Sequence, residues 1–420
     1  MKILHLSTGD VVGGACIAAF RLHLGLKRIG VNSTMLVWRK DSDDSDVFEV
    51  PKGFRYLLSK VGSRMEDVCL RLCCDRGQAW DGGLVPGFAA RLIREMQPDI
   101  VNLHFVNRGL ISVGQVARLG LPVVWTFHDM WPITSGYHYY GSKLTPELAP
   151  PDGGFDPDIS SNILTRALLA KKCRAWKDVN LDVVCPSQWL QGASKKSPTV
   201  AGKKIHHIPY GLDLEIYRPM NKEDVRKSLG LPVDKKLILF GAASSDNDPR
   251  KGSDLLLGAM HYGIKESLFS AEETELVTFG QQAKLPGALQ KMKVHSMGRV
   301  SGDELLARIY ASADVFIAPS REDNLPNTVL EAMACGVPTV AFRIGGMPDM
   351  IDHEMTGYLA EPFDIESLAR GVAHALQHVD PGVVRKRAEL CYPIEKQAAN
   401  YFALYKTMLS SGGNDPASEV

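Results

Sequence analysis

Apolar and polar positions along this chain follow two periodicities that succeed one another almost throughout. Short runs rich in β-branched residues predict buried strands at Lys2–Ser7, Asn32–Trp38, Ile100–Phe105, Val123–Phe127, Val183–Cys185 and Ile205–Pro209. Between them lie stretches with apolar residues at helical spacing, such as Ala15–Arg28, Phe88–Met96 and Asn162–Trp176. Strands alternating with helices predict an α/β fold with a parallel, doubly wound sheet. The rhythm pauses over Gly211–Met220 and restarts as if from a fresh N-terminus. Strand Lys236–Gly241, helix Gly252–Met260 and strand Glu275–Phe279 come first. Strands Lys293–Met297, Val315–Ala318 and Pro338–Phe342 follow, then helix Ile365–Gln377. The pattern predicts two Rossmann-like domains, residues 1–211 and 220–392. A last helix, Ile394–Leu409, ends the folded part, and a disordered tail is expected over 411–420.

Length agrees with this division, because 420 residues exceed what one core supports and fit two domains of roughly 200 residues. Charge removes one class of partner: 48 basic against 48 acidic residues leave no net field, which argues against nucleic acid. The eight cysteines lack paired C-x-x-C spacing and read as reduced thiols of a cytosolic protein, with no metal site. The chain opens directly on a strand-like run, and no apolar stretch reaches ~18 residues. The expectation is a cytoplasmic protein without a membrane span.

Ligands of open parallel sheets bind at the carboxyl ends of the strands, so two such domains facing each other would enclose an interdomain cleft. Residues with candidate chemistry lie at those ends. After the first strand, Gly9, Gly13 and Gly14 form a turn whose amides can approach an anion or a sugar, or which is purely structural. A dinucleotide fingerprint is excluded, since the glycine spacing is wrong and the second strand ends in Trp38-Arg39-Lys40 instead of an acid. After Val123–Phe127 come His128 and Asp129; His128 can donate into the cleft with Asp129 orienting its ring, or be satisfied in the core. The segment 132–160, rich in Gly, Pro, Tyr and Asp, is long enough to carry substrate contacts. In the second domain Arg250 and Lys251 precede a helix start and can clamp a diphosphate, or remain solvated. Asp323 or Asn324 suits an N-cap and Pro326 a first helical turn, with Glu331 further along the helix. Free amides there can bind phosphate, and carboxylates can bind sugar hydroxyls.

The segment Val315–Met350, with SREDNLPNTVLEAMACGVPTVAFRIGGMPDM, resembles the donor-binding segment of the retaining glycosyltransferases of family 4, which have the GT-B fold. Further stretches agree in order: TFHDMW at 126–131, VCPSQWL at 184–190, IPYGLDLEIYRP at 208–219, PRKGSDLLL at 249–257 and GRV at 298–300. The similarity spans residues 1–409 and is nearest to bacterial enzymes that build cell-surface polysaccharides.

The resemblance implies transfer of a sugar from a UDP- or GDP-linked donor to a saccharide or lipid-linked saccharide acceptor, without metal or further cofactor. It implies that Glu331 binds the donor ribose and that Asn324, Leu325, Pro326 and Asn327 hold sugar and phosphate through their amides. Asp323 stands where the family usually has Glu, with Glu322 one residue earlier, so which acid meets the sugar stays open. Lys251 matches the diphosphate-binding lysine, and Arg250 stands in for the family's arginine at a position occupied here by Ala242. Gly13 and Gly14 would approach the diphosphate, His128 the reacting carbon, and Val300 of the GRV string the donor. Tyr210 replaces the usual Asn and is taken as a linker variation. The last helix, 393–410, would complete the first domain. Epimerase or phosphorylase chemistry on the same fold, or nucleotide-sugar binding without turnover, are the alternatives. Finally, Phe54–Arg76 is amphipathic and carries Arg55, Lys60, Arg64, Arg71 and Arg76. It reads either as a membrane-surface helix or as a helix packed on the sheet with a solvated basic face.

Overall fold

The computed structural model describes residues 1–73, 80–87, 89–140, 163–242, 248–280 and 292–411. Most of the long segment 132–160, part of the loop before Arg250, Arg76 and the tail 412–420 lie outside them. The described chain forms two compact units. One holds the residues from Met1 to Gly211 and the final helix from Ile394; the other is Leu212–Pro393.

The first unit contains strands β1 (Lys2–Gly9), β2 (Asn32–Arg39), β3 (Val47–Glu49), β4 (Ile100–Leu103), β5 (Val123–Thr126), β6 (Leu181–Cys185) and β7 (Lys204–His207). Its helices are α1 (Gly14–Arg28), α2 (Phe54–Cys73), α3 (Ala89–Met96), α4 (Val113–Val116), α5 (Ile163–Trp176) and α6 (Gln188–Lys196). The second unit has strands β8 (Lys236–Ala242), β9 (Thr274–Gly280), β10 (Val294–Ser296), β11 (Val315–Ala318), β12 (Thr339–Phe342) and β13 (Gly357–Ala360). With them go α7 (Lys222–Leu229), α8 (Ser253–Lys265), α9 (Asp303–Ser312), α10 (Asn327–Ala334), α11 (Met347–Met350), α12 (Ile365–His378) and α13 (Pro381–Cys391). Helix α14 (Ile394–Ser411) closes the chain.

Both sheets are parallel, ordered β3-β2-β1-β4-β5-β6-β7 and β10-β9-β8-β11-β12-β13. In each, the first strand of the unit lies at the point where strand order reverses, the place where such folds bind ligands. Strands β3 and β13 escape the sequence pattern because three or four residues, one of them Gly357, carry too little periodicity to register.

Helix α14 belongs to the first unit through its core. Ala398, Tyr401, Leu404 and Tyr405 pack with Ile3, Leu22, Leu26 and Ile100. The two phenols are also hydrogen-bonded, Tyr401 with Thr126 at 2.9 Å and Tyr405 accepting from Asn102 at 2.7 Å. Gly25 permits the contact, since a Cβ there would come within 2.9 Å of Ile394.

Helix α2 differs from its neighbours. Phe54, Leu57, Leu58, Val61, Met65 and Val68 recur at helical spacing, and each is exposed, Phe54 to 75% and Met65 to 63%. Ser59 and Leu70 are buried instead. The sheet-packed alternative for this helix therefore does not describe its apolar face.

Candidate functional site

In the second unit β8 and β11 are paired neighbours, Val315 opposite Ile238, so the loops leaving their carboxyl ends lie side by side. The first of these loops ends in a turn, Pro249–Lys251, that presents Arg250 and Lys251. The second holds Asp323. Lys251 Nζ is 2.6 Å from one Asp323 carboxylate oxygen, and an Arg250 nitrogen is 3.4 Å from the other. Ser320 donates to the same carboxylate at 3.2 Å. Burial alone would raise the Asp323 carboxyl, but Lys251, Arg250 and the hydroxyl outweigh it and hold it below the usual carboxylate range. Burial, and then Arg250, lower Lys251 from the usual lysine range against the pull of Asp323. Arg250 also donates to Asp248 at 3.0 Å and to the Glu322 carbonyl at 2.8 Å, which fastens the two loops together.

Two glycines permit this closeness. Gly252 has φ 68°, and a Cβ on it would lie 1.9 Å from the Pro319 carbonyl oxygen. Gly345, in the loop after β12, has φ 52° and a Cβ there would lie 2.0 Å from the Asp323 carbonyl oxygen.

Helix α10 starts at Asn327 with Pro326 as its N-cap and no side-chain cap. The expected capping by Asp323 or Asn324 fails, and for Asp323 the reason is plain: its carboxylate is engaged by Lys251 and Ser320. Asn324, Leu325 and Pro326 are buried, and Asn327 is half-buried. One turn into the helix stands Glu331, buried, which accepts a 2.9 Å hydrogen bond from the Tyr310 hydroxyl of α9. Burial first and Glu331 second push that phenol well above its ordinary pKa. Glu322 is buried as well. Val300 is half-buried in the segment between β10 and α9.

In the first unit Gly13, at φ 93°, caps α1 and Gly14 is its first residue, directly beyond the carboxyl end of β1. Asp10 organises that turn by accepting from the amides of Val11, Asp41 and Ser42 at 2.8, 3.0 and 2.9 Å. His128, just past β5, lies in a buried chain of rings. His5 Nδ1 is 2.9 Å from His104 Nε2, His104 Nδ1 is 3.0 Å from His128 Nε2, and His128 Nδ1 is 2.6 Å from the Tyr210 hydroxyl. Desolvation lowers the His128 pKa to about 4, so the ring is neutral at physiological pH.

Comparison with known proteins agrees with this architecture. Residues 12–216 match the Glycosyltransferase Family 4 domain, and residues 234–378 match the domain of Glycosyl transferases group 1. The chain belongs to the GT-B glycosyltransferases. Among its relatives is a D-inositol 3-phosphate glycosyltransferase of Xylanimonas cellulosilytica, 27% identical over 85% of this chain and 81% of the relative. A sucrose-phosphate synthase of Thermosynechococcus elongatus shares the fold with a TM-score of 0.64 at 17% identity, covering 98% of this chain and 100% of that one. Anabaena HepE, in complex with UDP and glucose, aligns with a TM-score of 0.62 at 15% identity, covering 97% of this chain and 100% of that one.

Within this glycosyltransferase, Lys251, Arg250 and Asp323 are brought into contact, and Asn324–Asn327 and Glu331 share one loop and helix. His128, Gly13 and Gly14 lie at strand ends of the other unit. Asp129 does not orient His128; its oxygens are taken by the Trp131 amide at 2.9 Å and by His138 at 2.7 Å, because the backbone turns sharply after Asp129. Tyr210 is more than a linker variation, since its hydroxyl meets His128. Its departure from the usual Asn was the one signal of this in the sequence. Tyr310 had no such signal, because it precedes Glu331 by 21 positions on another helix.

Proposed function

We propose that this glycosyltransferase moves a sugar from a UDP- or GDP-linked donor to an acceptor hydroxyl with retention of anomeric configuration. The observation that carries the reading is the Lys251–Asp323 contact at 2.6 Å, beside the start of the helix that bears Glu331. Cation, helix N-terminus and carboxylate stand in the sequence that diphosphate, sugar and ribose require. Lys251, with Arg250 behind it, meets the diphosphate, and the amides of Asn324–Asn327 hold phosphate and sugar. Glu331, aligned by Tyr310, accepts from the ribose hydroxyls. Asp323 takes a sugar hydroxyl while its charge holds Lys251 protonated. Val300 and the Gly13-Gly14 turn contact the donor, and His128, neutral and held by Tyr210 and His104, meets the sugar near the reacting carbon.

In the chemical step the acceptor oxygen bonds to the anomeric carbon on the face from which the diphosphate departs, and the hydroxyl proton passes to the leaving phosphate oxygen. The products are a glycoside and a nucleoside diphosphate. The cations meet the leaving charge, so neither metal nor further cofactor is needed. We place the activity in cell-surface polysaccharide or glycolipid synthesis at the cytoplasmic membrane face, supported by the exposed apolar stripe of α2.

The test is nucleoside diphosphate release in the presence of acceptor, preceded by a thermal-shift screen of UDP and GDP sugars. Lys251→Ala and Glu331→Gln are each expected to cut turnover by at least about 10²-fold, the scale of a lost transition-state contact, with circular dichroism unchanged. Full activity in both variants would overturn the assignment.

A further inference from the structure

A line of three imidazoles crosses the first sheet beside the candidate site. His5 stands in β1, His104 directly past β4 and His128 just past β5, and these strands are neighbours in the order β1-β4-β5. His104 keeps to the ladder through its amide, which donates to the Leu6 carbonyl at 3.0 Å. Adjacent strands lie about 4.8 Å apart, and ring centroids 5.2 and 5.3 Å apart carry the line from His5 to His104 and from His104 to His128. Tyr210 ends it, 2.6 Å from His128 Nδ1. At the other end His5 Nε2 is buried and, among the described residues, has no hydrogen-bond partner.

Burial lowers the pKa of all three rings and keeps them neutral at physiological pH, so each has one N–H and one bare nitrogen. The three bonds of the line then admit two settings. In one, Tyr210 donates to His128 Nδ1, His128 Nε2 to His104 and His104 Nε2 to His5, which leaves the His5 hydrogen on Nε2 without an acceptor. In the other, His5 Nδ1 donates to His104, His104 Nδ1 to His128 and His128 Nδ1 to the Tyr210 oxygen, and only a bare lone pair remains at His5 Nε2. A buried donor without an acceptor is the rarer and costlier defect, which favours the second setting. No ring can change its tautomer alone, because a single reversal sets two hydrogens or two lone pairs against each other.

We infer that His5 and His104 are positioning residues that act through His128, committing its hydrogen to Nδ1 and its Nε2 to accepting from His104. The ring therefore meets the sugar in one orientation and with one polarity. The inference rests on the glycosyltransferase reading for the sugar; the tautomer line itself does not depend on it. Through this line Tyr210 is coupled to a strand interior two rings beyond its own partner.

Heteronuclear NMR of the protein labelled in its histidine ring nitrogens reads the tautomer of each ring. In the wild-type protein all three are expected as Nδ1–H, in about tenfold excess or more over Nε2–H, the scale of one unpaired buried donor. Tyr210→Phe takes the acceptor from His128 Nδ1, so that each setting leaves one unpaired donor. The excess is then expected to fall about tenfold at His5 as well as at His128. A side chain that only packs would keep its tautomer when Tyr210 is replaced. Any of the three rings on Nε2 in the wild-type protein, or a His5 tautomer that Tyr210→Phe leaves unmoved, overturns the inference; should that variant not fold, the wild-type rings decide. If the wild-type protein shows no thermal shift with UDP or GDP sugars yet the three rings behave as expected, the donor reading fails and the tautomer line stands.

Discussion

Tyr210 is the residue whose meaning changes most between sequence and structure. Its hydroxyl, 2.6 Å from His128 Nδ1, fixes the ring from the side opposite His104. Tyr210→Phe removes that partner from a buried nitrogen, which costs about 1–3 kcal/mol where no new partner is found. We expect the variant to lose stability in that range and to show a lower kcat with nucleotide affinity unchanged, a split that steady-state kinetics with a UDP or GDP titration will read. The sequence identified His128 itself, because a histidine at a strand's carboxyl end is visible as a string. Its three neighbours in the ring chain were not visible, because His5, His104 and Tyr210 come from separate parts of the chain.

Single elements carry two further consequences. The loops after β8, β11 and β12 approach one another through Gly252 and Gly345, both with positive φ and with no room for a Cβ. Gly252→Ala must bend the turn that presents Lys251, at a cost of about 1–3 kcal/mol in backbone strain; loss of the nucleotide thermal shift is the expected result. Among its described side chains, helix α2 exposes six large apolar ones in one stripe. Burying each in an apolar phase is worth roughly 1.5–3 kcal/mol, so Leu57→Ser with Met65→Ser should weaken vesicle binding about a hundredfold or more while leaving nucleotide binding intact. Amphipathicity of this segment was legible in its periodicity. Which face met solvent was not, because the same stripe would serve equally well against a sheet.

For the whole molecule, acid stability follows from its buried histidines. His5, His104 and His128 all have pKa values lowered chiefly by desolvation, His128 to about 4. The unfolded chain takes up these protons near pH 6.5 and the folded chain only further down, so stability is lost as pH falls below about 6.5. His128 alone contributes a loss on the order of 2 kcal/mol between about pH 7 and pH 5. All six tryptophans, at 38, 80, 125, 131, 176 and 189, lie in the same unit as these rings. Tryptophan fluorescence in urea therefore reports that unit, and a midpoint unchanged over this pH range would refute the account. Asp323 starts ionised where these rings start neutral, yet it follows the same trend. Its lowered pKa gives stability above about pH 4 that disappears as the carboxylate protonates.

The sequence by itself determined the two α/β units, the order of their main strands and helices, the loops that carry Lys251, Asp323 and His128, and the helix that carries Glu331. Those features rest on periodicity and on turn residues, which act over a few positions and need no knowledge of distant chain. Only the tertiary structure decided the Lys251–Asp323 contact across 72 positions, the Tyr310–Glu331 bond and the ring chain at His128. Such pairings are set by the order of strands in a sheet and by packing of helices upon it. A strand's local pattern is the same whichever neighbour it acquires.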